Sequence, residues 1–368
     1  MNKRRKIIGC ILLLSAMVVT LVGCGKSTGR TLTSATGSVY ECLVVINDVP
    51  LTQEQLNEVA ELSLVNEASG YTEPIATTYD LVEAVMGADM PCMPQVEPYF
   101  RLTNVSMAHF DDMFKPTRNI LFVDINPQKY TQLKTKVSRD YWSTPQAVCR
   151  IQSPSQEEFV AYWLAHGEGI REWFVGQEIQ RQMKFYRAST NKNARAILQK
   201  QGYDMLIPED YIVLMDTVLI DETRVLWCCN NKGSMRRDIV VYSYPYTNAN
   251  TFTQPFLNAK RDAVLSRLVK GSVEGAYMGT EYKVMPPQMR HVLVQDSAQA
   301  YEVRGLWKIL NGEAMGGPYV SHTRLDQVNA RVVTAETFLY AAGQKKRTAL
   351  RQAETILYTL TLPEDKVK

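Results

Sequence analysis

The chain has 368 residues, of which 45% are hydrophobic and 21% are charged, a composition typical of a folded globular protein. Its formal net charge is +3, but four of the 41 Lys and Arg residues lie within the first six positions. Without these four, 37 basic residues face 38 acidic ones. A balance this close to neutral argues against a nucleic-acid binder that depends on a basic surface.

The first 24 residues are typical of a bacterial export signal. The basic residues Lys3 to Lys6 precede an apolar run, and Leu21-Val22-Gly23-Cys24 closes the segment. This ending resembles the lipobox, in which the cysteine is acylated and becomes the new N-terminus. We therefore predict that residues 1–23 are a cleaved lipoprotein signal peptide and that a lipid on Cys24 holds the protein to a membrane.

The alternative for this segment is a single transmembrane helix. A helix needs about 20 apolar residues to cross a bilayer. The run here covers only residues 7–22, contains Gly9 and Ser15, and is followed by no basic flank. These features favour the cleaved signal.

Five cysteines remain once Cys10 and Cys24 are set aside. An odd number leaves at least one thiol unpaired, and no C-x-x-C spacing supports a redox or zinc site. We predict buried, unpaired thiols and leave the pairing open; the five are Cys42, Cys92, Cys149, Cys228 and Cys229.

The N-terminal half follows a strand–helix rhythm. Residues 24–38 are small and polar, which predicts a flexible tether. Near-continuous apolar runs at 40–48 and 119–125 predict strands buried on both faces, with further strands at 99–102 and 146–151. Helices are expected at 52–64, where Thr52 and Gln55 resemble a capping box, at 79–86 and at 106–114. This pattern predicts an α/β domain with parallel strands over residues 39–205.

A long helix with many aromatic residues closes that half. Ser153 is the expected N-cap, and the helix is predicted to continue to Arg187, with a bend or break at Gly167 and Gly169. Its aromatic stripe fits a cofactor or membrane face, but at helical spacing it is more typical of a protein core. A shorter helix is expected at 193–201.

The second half changes character near residue 205. Three short strands at 211–217, 224–230 and 238–244 predict an antiparallel meander. Further elements are expected as follows: a helix at 256–269, strands at 290–295, 301–310 and 331–342, and a helix at 348–360. We therefore predict a mixed α+β and α/β fold, with an antiparallel-sheet domain over residues 206–368 that helices pack against.

Motifs that would identify an enzyme or a cofactor site are absent from the sequence. There is no nucleophile elbow, phosphate-binding loop, zinc-protease helix or complete dinucleotide fingerprint. The four histidines are scattered, and Asp111 and Asp112 fit a solvated face better than a metal site. We predict no catalytic residue, no metal and no cofactor.

The C-terminal half offers one candidate binding surface. Gly316 and Gly317 precede a proline, which predicts an open loop or a tight turn with positive φ values. Aromatic residues in this region would line a ligand or partner site, or would simply be core and turn residues; both alternatives stay open. The candidate residues are Tyr244, Tyr246, Trp307, Gly316, Gly317, Tyr319 and His322.

Several segments, in this order, resemble the domain-of-unknown-function family 4837, exported lipoproteins of Bacteroides-like Gram-negative bacteria. The resemblance covers nearly all of the chain after the signal. It rests on the segments at 118–124, 242–247, 251–253, 275–278, 304–307, 315–319 and 346–352. It implies no activity or catalytic residues. By analogy, Gly25 and the lack of acidic residues after Cys24 imply the inner leaflet of the outer membrane, facing the periplasm.

Two functions follow from these observations. The first is a lipid-anchored, non-catalytic envelope protein that binds a partner protein or glycan and no nucleic acid. The second is a periplasmic hydrolase whose site lies between the domains or at the Gly316–His322 loop. Ser321 and His322, or Asp124, would then carry the chemistry, although adjacent strand residues point apart.

Overall fold

The computed structural model describes residues 31–65, 74–294 and 298–366, with only the backbone described for 61–65. The predicted signal and the first part of the predicted tether lie outside these residues. Thr33–Lys368 form one compact unit. In the described part of the chain, no helix is both long enough and apolar enough to cross a membrane.

The described residues contain both helices and strands, so the predicted mixed α+β class is confirmed. The helices are α1 (Gln53–Val65), α2 (Thr78–Met86), α3 (Gln156–Ala188), α4 (Lys192–Lys200), α5 (Gln254–Leu268) and α6 (Arg347–Leu357). The strands are β1 (Thr33–Ser34), β2 (Glu41–Ile46), β3 (Arg101–Val105), β4 (Asn119–Ile125), β5 (Lys134–Arg139), β6 (Ser143–Thr144), β7 (Ala147–Ser153), β8 (Ile212–Val218), β9 (Arg224–Asn230), β10 (Arg236–Pro245), β11 (Tyr277–Glu281), β12 (Gln288–Val294), β13 (Ala298–Leu310), β14 (Gly316–Asp326) and β15 (Arg331–Tyr340).

The N-terminal strands form a five-stranded sheet in the order β3-β2-β4-β7-β5. The first four strands run parallel, while β5 pairs antiparallel with β7 at the edge. The apolar runs of β2 and β4 are buried because helices cover one face and loop aromatic residues the other. The predicted helix at 106–114 is wrong. Only Met107–His109 form a 3-10 turn, and Phe110 and Phe114 instead pack over the sheet.

The C-terminal strands form an eight-stranded antiparallel sheet. Its order is β11-β13-β14-β15-β10-β9-β8, and β12 pairs with β13 beside β11. The meander of β8, β9 and β10 is confirmed. Two strands were not predicted: β5, whose residues are mainly polar, and β11, which is only five residues long.

Helix α3 packs against the parallel sheet and is continuous over 33 residues. It begins after Ser155, whose side chain accepts a hydrogen bond from the backbone N–H of Glu158, so the predicted cap at Ser153 is wrong. Gly167 marks no break. A Cβ at this position would lie 2.9 Å from the Trp163 indole, so the glycine gives the ring room to pack. The predicted capping box of α1 is confirmed, because Thr52 and Gln55 exchange hydrogen bonds.

The main core cluster contains side chains from both sheets and from helices α2, α3 and α6. The aromatic stripe of α3 lies mainly in this cluster, as the core interpretation predicted. A second cluster lies between α5 and the other face of the eight-stranded sheet. The prediction that the tether continues to residue 38 is wrong, because Thr33 and Ser34 pair with Ser143 and Thr144.

The five cysteines that the structure describes are buried and free, which confirms the prediction of unpaired thiols. Burial raises the pKa of both Cys149 and Cys228 to about 12. A thiol of such high pKa is a poor nucleophile at neutral pH. These cysteines are therefore packing residues.

Candidate ligand-binding site

The predicted Gly-Gly-Pro loop is in fact the first part of strand β14. Gly316 and Gly317 do not have positive φ values, so the tight-turn interpretation is also wrong. A Cβ on Gly317 would lie 2.0 Å from the carbonyl oxygen of Leu339 on β15. The glycines are needed because the neighbouring backbone and the Trp307 side chain approach this closely.

Most of the predicted binding residues are buried. Trp307, Tyr319 and His322 are 2%, 0% and 0% exposed, and Tyr244 is also buried. The Trp307 indole donates a hydrogen bond to Leu339 O at 3.0 Å, and the Arg261 guanidinium lies 3.7 Å from the centre of the Tyr319 ring. These residues therefore match the core alternative. Tyr246 alone among the aromatic candidates is half-buried.

The residues of the predicted hydrolase do not assemble into a catalytic group in the described structure. Ser321 and His322 are neighbours on β14, where successive side chains point to opposite faces of the sheet. His322 Nε2 lies 3.2 Å from Glu302 Oε2, and both groups are buried. Asp124 accepts a hydrogen bond from Lys129 Nζ at 2.9 Å in the N-terminal half of the chain.

His322 belongs to a buried ionic cluster between the eight-stranded sheet and α6. We use this name for Glu302 and Arg304 on β13, Arg290 on β12, His322 on β14, and Arg351 and Glu354 on α6. Arg290 and Arg304 donate to Glu302 Oε1 at 2.6 and 2.7 Å, and Arg304 also binds Glu354. Arg351 Nη1 lies 3.5 Å from Glu354 Oε2.

Three groups of this cluster could in principle bind a metal ion. Ligand atoms of Glu302, His322 and Glu354 all lie within 4.8 Å of one another. A histidine with two carboxylates is a common donor set for transition metals. However, both carboxylates already bind guanidinium groups, and three arginine cations surround the point where a metal would sit. The arginines neutralise the carboxylates, so these residues do not fit a metal centre.

A better candidate is an open pocket at one end of the eight-stranded sheet. This aromatic pocket, as we call it, has a volume of about 460 Å³. It is lined by Phe252, Ala298, Gln299, Tyr301, Arg324, Leu325, Gln327, Glu364 and Asp365. A volume of this size is typical of a site for a small molecule.

Stacked rings form one wall of the aromatic pocket. The rings of Phe252 and Tyr301 lie 4.9 Å apart, with 21° between their planes. His291 extends this row on the side of Tyr301, at 4.5 Å, and Tyr246 on the side of Phe252, at 5.9 Å. Phe252 and Tyr301, the two rings of this row that line the pocket, are both half-buried.

Polar groups also line the pocket. Arg324 donates to Asp365 through two hydrogen bonds of 2.7 Å, which fix both side chains. Glu364 Oε2 is buried and accepts no hydrogen bond from the residues that the structure describes. A buried carboxylate oxygen without a donor is costly, and Glu364 is also one of the residues that line the pocket.

Few residues of this pocket could be predicted from the sequence. Tyr246 is the one predicted residue that touches the ring row, and Phe252 lies in a segment that carried the family resemblance. Phe252 is a lone aromatic residue among mainly polar neighbours, and this pattern could have indicated a binding residue. The contribution of Glu364 could not be foreseen, because only the tertiary fold brings the C-terminal end of the chain to β13.

Two family models match the chain, and both describe domains of unknown function. Residues 189–359 match the model of the domain of unknown function DUF4837, and residues 55–187 match that of the domain of unknown function DUF8532. The segment at 118–124 therefore falls within the DUF8532 match. The DUF4837 match covers only residues 189–359, whereas the resemblance was expected to cover nearly all of the chain after the signal. None of the curated proteins matches the chain. The region from residue 189 to residue 359 belongs to the DUF4837 family.

Proposed function

We propose that this protein is a lipid-anchored binding protein of the bacterial cell envelope and that its aromatic pocket binds a carbohydrate. One observation carries the proposal: the stacked rings of Phe252 and Tyr301 line the same open pocket as the polar side chains of Gln299, Gln327 and Glu364. The C–H groups of a sugar ring pack well against aromatic rings, while sugar hydroxyl groups donate to carboxylate and amide oxygens. Gln299 and Gln327 add further polar groups at the rim.

The test is glycan binding by the full-length protein. Neutral and N-acetylated oligosaccharides on an array identify a ligand, and calorimetry then measures its affinity. We expect Tyr301→Ala and Glu364→Gln each to weaken binding by about tenfold or more, since each removes a contact worth at least about 1.4 kcal/mol.

Phe185→Ala is the matched control for the aromatic replacement. Phe185 is 63% exposed on α3 and is not part of the pocket, so its removal should leave affinity unchanged. The proposal would be refuted if the wild-type protein bound no glycan on the array. It would also be refuted if Tyr301→Ala and Phe185→Ala weakened binding equally while both proteins remained folded.

The anchor is the second part of the proposal. The basic head, the short apolar run and the ending Leu21-Val22-Gly23-Cys24 support acylation of Cys24. We propose that the protein is held in the outer membrane and faces the periplasm, where envelope glycans are accessible.

Replacing Cys24 with Ser is expected to abolish lipid attachment. In cells fed an alkyne-labelled fatty acid, the Cys24→Ser protein should carry no label and should run on a gel as the longer, uncleaved precursor. Cys10→Ser is the matched control and should keep both label and cleavage, because Cys10 lies inside the signal. A labelled Cys24→Ser protein would contradict the assignment of the anchor.

We further propose that the two sheets correspond to two domains, with a boundary near residue 205. The change from parallel to antiparallel pairing and the two separate family matches support this division. The shared core cluster would then be the packing between them.

A further inference from the structure

A second pocket, lined mainly by charged and polar side chains, lies between α3 and the edge of the five-stranded sheet. This basic pocket has a volume of about 480 Å³. It is lined by Arg139, Asp140, Pro145, Gln146, Gln177, Gln180, Arg181 and Lys184. Three of these side chains are cationic and one is anionic, so the pocket favours a negatively charged ligand.

Two of the cations have positive charge that no carboxylate in the described residues neutralises. Arg139 donates through Nε to the neutral Gln177 Oε1 at 2.7 Å and forms no ion pair there. Lys184 is exposed and likewise forms no ion pair with any residue that the structure describes. Both can therefore bind an anion without losing an existing partner.

The third cation of the pocket, Arg181, belongs to an adjoining ion-pair group that carries a further excess of positive charge. Glu178 is buried and is shared by two arginines: Arg118 donates to its oxygens at 3.0 and 2.6 Å, and Arg181 donates at 2.9 Å. One carboxylate cannot neutralise two guanidinium groups. The burial of Arg181 and the repulsion from Arg118 lower the pKa of Arg181 although Glu178 opposes them, which is the sign of an incompletely compensated cation.

The basic pocket also lies beside the point where the chain joins the predicted lipid anchor. Thr33 and Ser34 pair with Ser143 and Thr144, and Ala35 N donates to Thr144 O at 2.9 Å. Thr144 directly precedes Pro145, a pocket residue. Only eight residues separate Cys24 from Thr33, so a chain acylated at Cys24 holds Thr33 within about 30 Å of the lipid surface.

We propose that the basic pocket binds the phosphate headgroup of an anionic lipid in the membrane that anchors the protein. Phosphate oxygens would accept hydrogen bonds from Arg139 and Lys184, while the carboxamides of Gln177 and Gln180 would contact the glycerol hydroxyl groups. The placement of the pocket near the membrane depends on the proposed lipidation of Cys24. The binding of an anion depends only on the residues of the pocket. Headgroup binding would orient the body of the protein on the membrane.

The test uses the full-length protein in a neutral detergent and measures its affinity for water-soluble dihexanoyl phosphatidylglycerol. Dihexanoyl phosphatidylcholine is the zwitterionic comparison and glycerol phosphate the soluble one. We expect the wild-type protein to prefer the anionic lipid to the zwitterionic lipid by at least tenfold. The double variant Arg139→Gln/Lys184→Gln should lose most of this preference.

Lys134→Gln/Lys136→Gln is the matched control. It removes the same charge from two exposed residues of β5 that do not line the pocket, and it should change the affinity less than threefold. Equal losses in the two double variants would overturn the proposal in favour of diffuse attraction. A wild-type protein without preference for the anionic lipid, or one that binds glycerol phosphate as tightly as the lipid, would also overturn it. Because binding is measured in detergent, these outcomes do not depend on labelling at Cys24 or on glycan binding.

Discussion

Replacing Glu302 with Gln is expected to destabilise the protein by about 3–5 kcal/mol, because it removes the buried carboxylate that Arg290 and the buried Arg304 share. Glu302 is fully buried and binds Arg290, Arg304 and His322. After the replacement, Glu354 would be the one carboxylate left in the buried ionic cluster to face three arginines. The free energy of unfolding, measured by denaturant titration at pH 7, gives the result.

The same variant makes a prediction about pH. Burial alone would raise the pKa of Glu302, but Arg304, His322 and Arg290 outweigh burial and hold the pKa well below its usual range. A carboxyl group whose pKa is lower in the folded state stabilises the fold above its unfolded pKa, about 4.3, and loses this contribution as the pH falls towards the folded value. The stability difference between wild type and Glu302→Gln should therefore be largest near pH 7 and smaller below about pH 4.

Glu41→Gln provides the matched control for Glu302→Gln. Glu41 pairs with Arg101 at the surface, where the two side chains are 26% and 70% exposed. Water screens such a pair, so its loss should cost less than about 1 kcal/mol. The proposed importance of the buried ionic cluster would be wrong if both replacements had the same small effect.

The elements that could be predicted from the sequence are those whose own residues determine them. Strand β4 was predicted with the bounds that the structure has, because seven consecutive residues between polar turns are mainly apolar. The cap of α1 was predicted because Thr52 and Gln55 are close in sequence and interact locally. In both cases the residues that determine the feature are close together in the sequence.

The candidate sites could not be predicted, since they depend on contacts between distant segments. Glu302 and Arg304 alternate with apolar neighbours on β13, a pattern that indicates a solvent-facing side. Instead α6 covers that side and supplies Arg351 and Glu354 to the charged residues. Likewise, Phe252, Tyr301 and Glu364 come from three separate segments, so their convergence at one pocket is a property of the fold.

The Gly-Gly-Pro segment was predicted as a turn from its local sequence, but tertiary packing places it in a strand. Glycine and proline are normally turn residues. Here Trp307 lies opposite Gly317 in the register of β13 and β14, and its indole reaches past the glycine to the carbonyl oxygen of Leu339. The glycine is present because a side chain would occupy the space of that contact.

Replacing Gly317 with Ala is accordingly expected to cost about 3 kcal/mol or more, from overpacking and from the loss of a buried hydrogen bond. The new methyl group would lie 2.0 Å from Leu339 O and 3.1 Å from Trp307 Nε1, so β14 must shift or the indole must leave its acceptor. Thermal unfolding and the near-ultraviolet circular dichroism of the tryptophans report the two effects separately.

Gly169→Ala is the matched control for this replacement, because it adds the same methyl group to an exposed position of α3 with no atom within 4 Å. It should stabilise the helix by about 0.5–1 kcal/mol, since glycine is a poor helix former. If Gly317→Ala lowers the stability and Gly169→Ala raises it, Gly317 is required because Trp307 packs against Leu339. A Gly317→Ala protein as stable as wild type would show that β14 can move away from β15, and that the close approach of these strands is not needed for the fold.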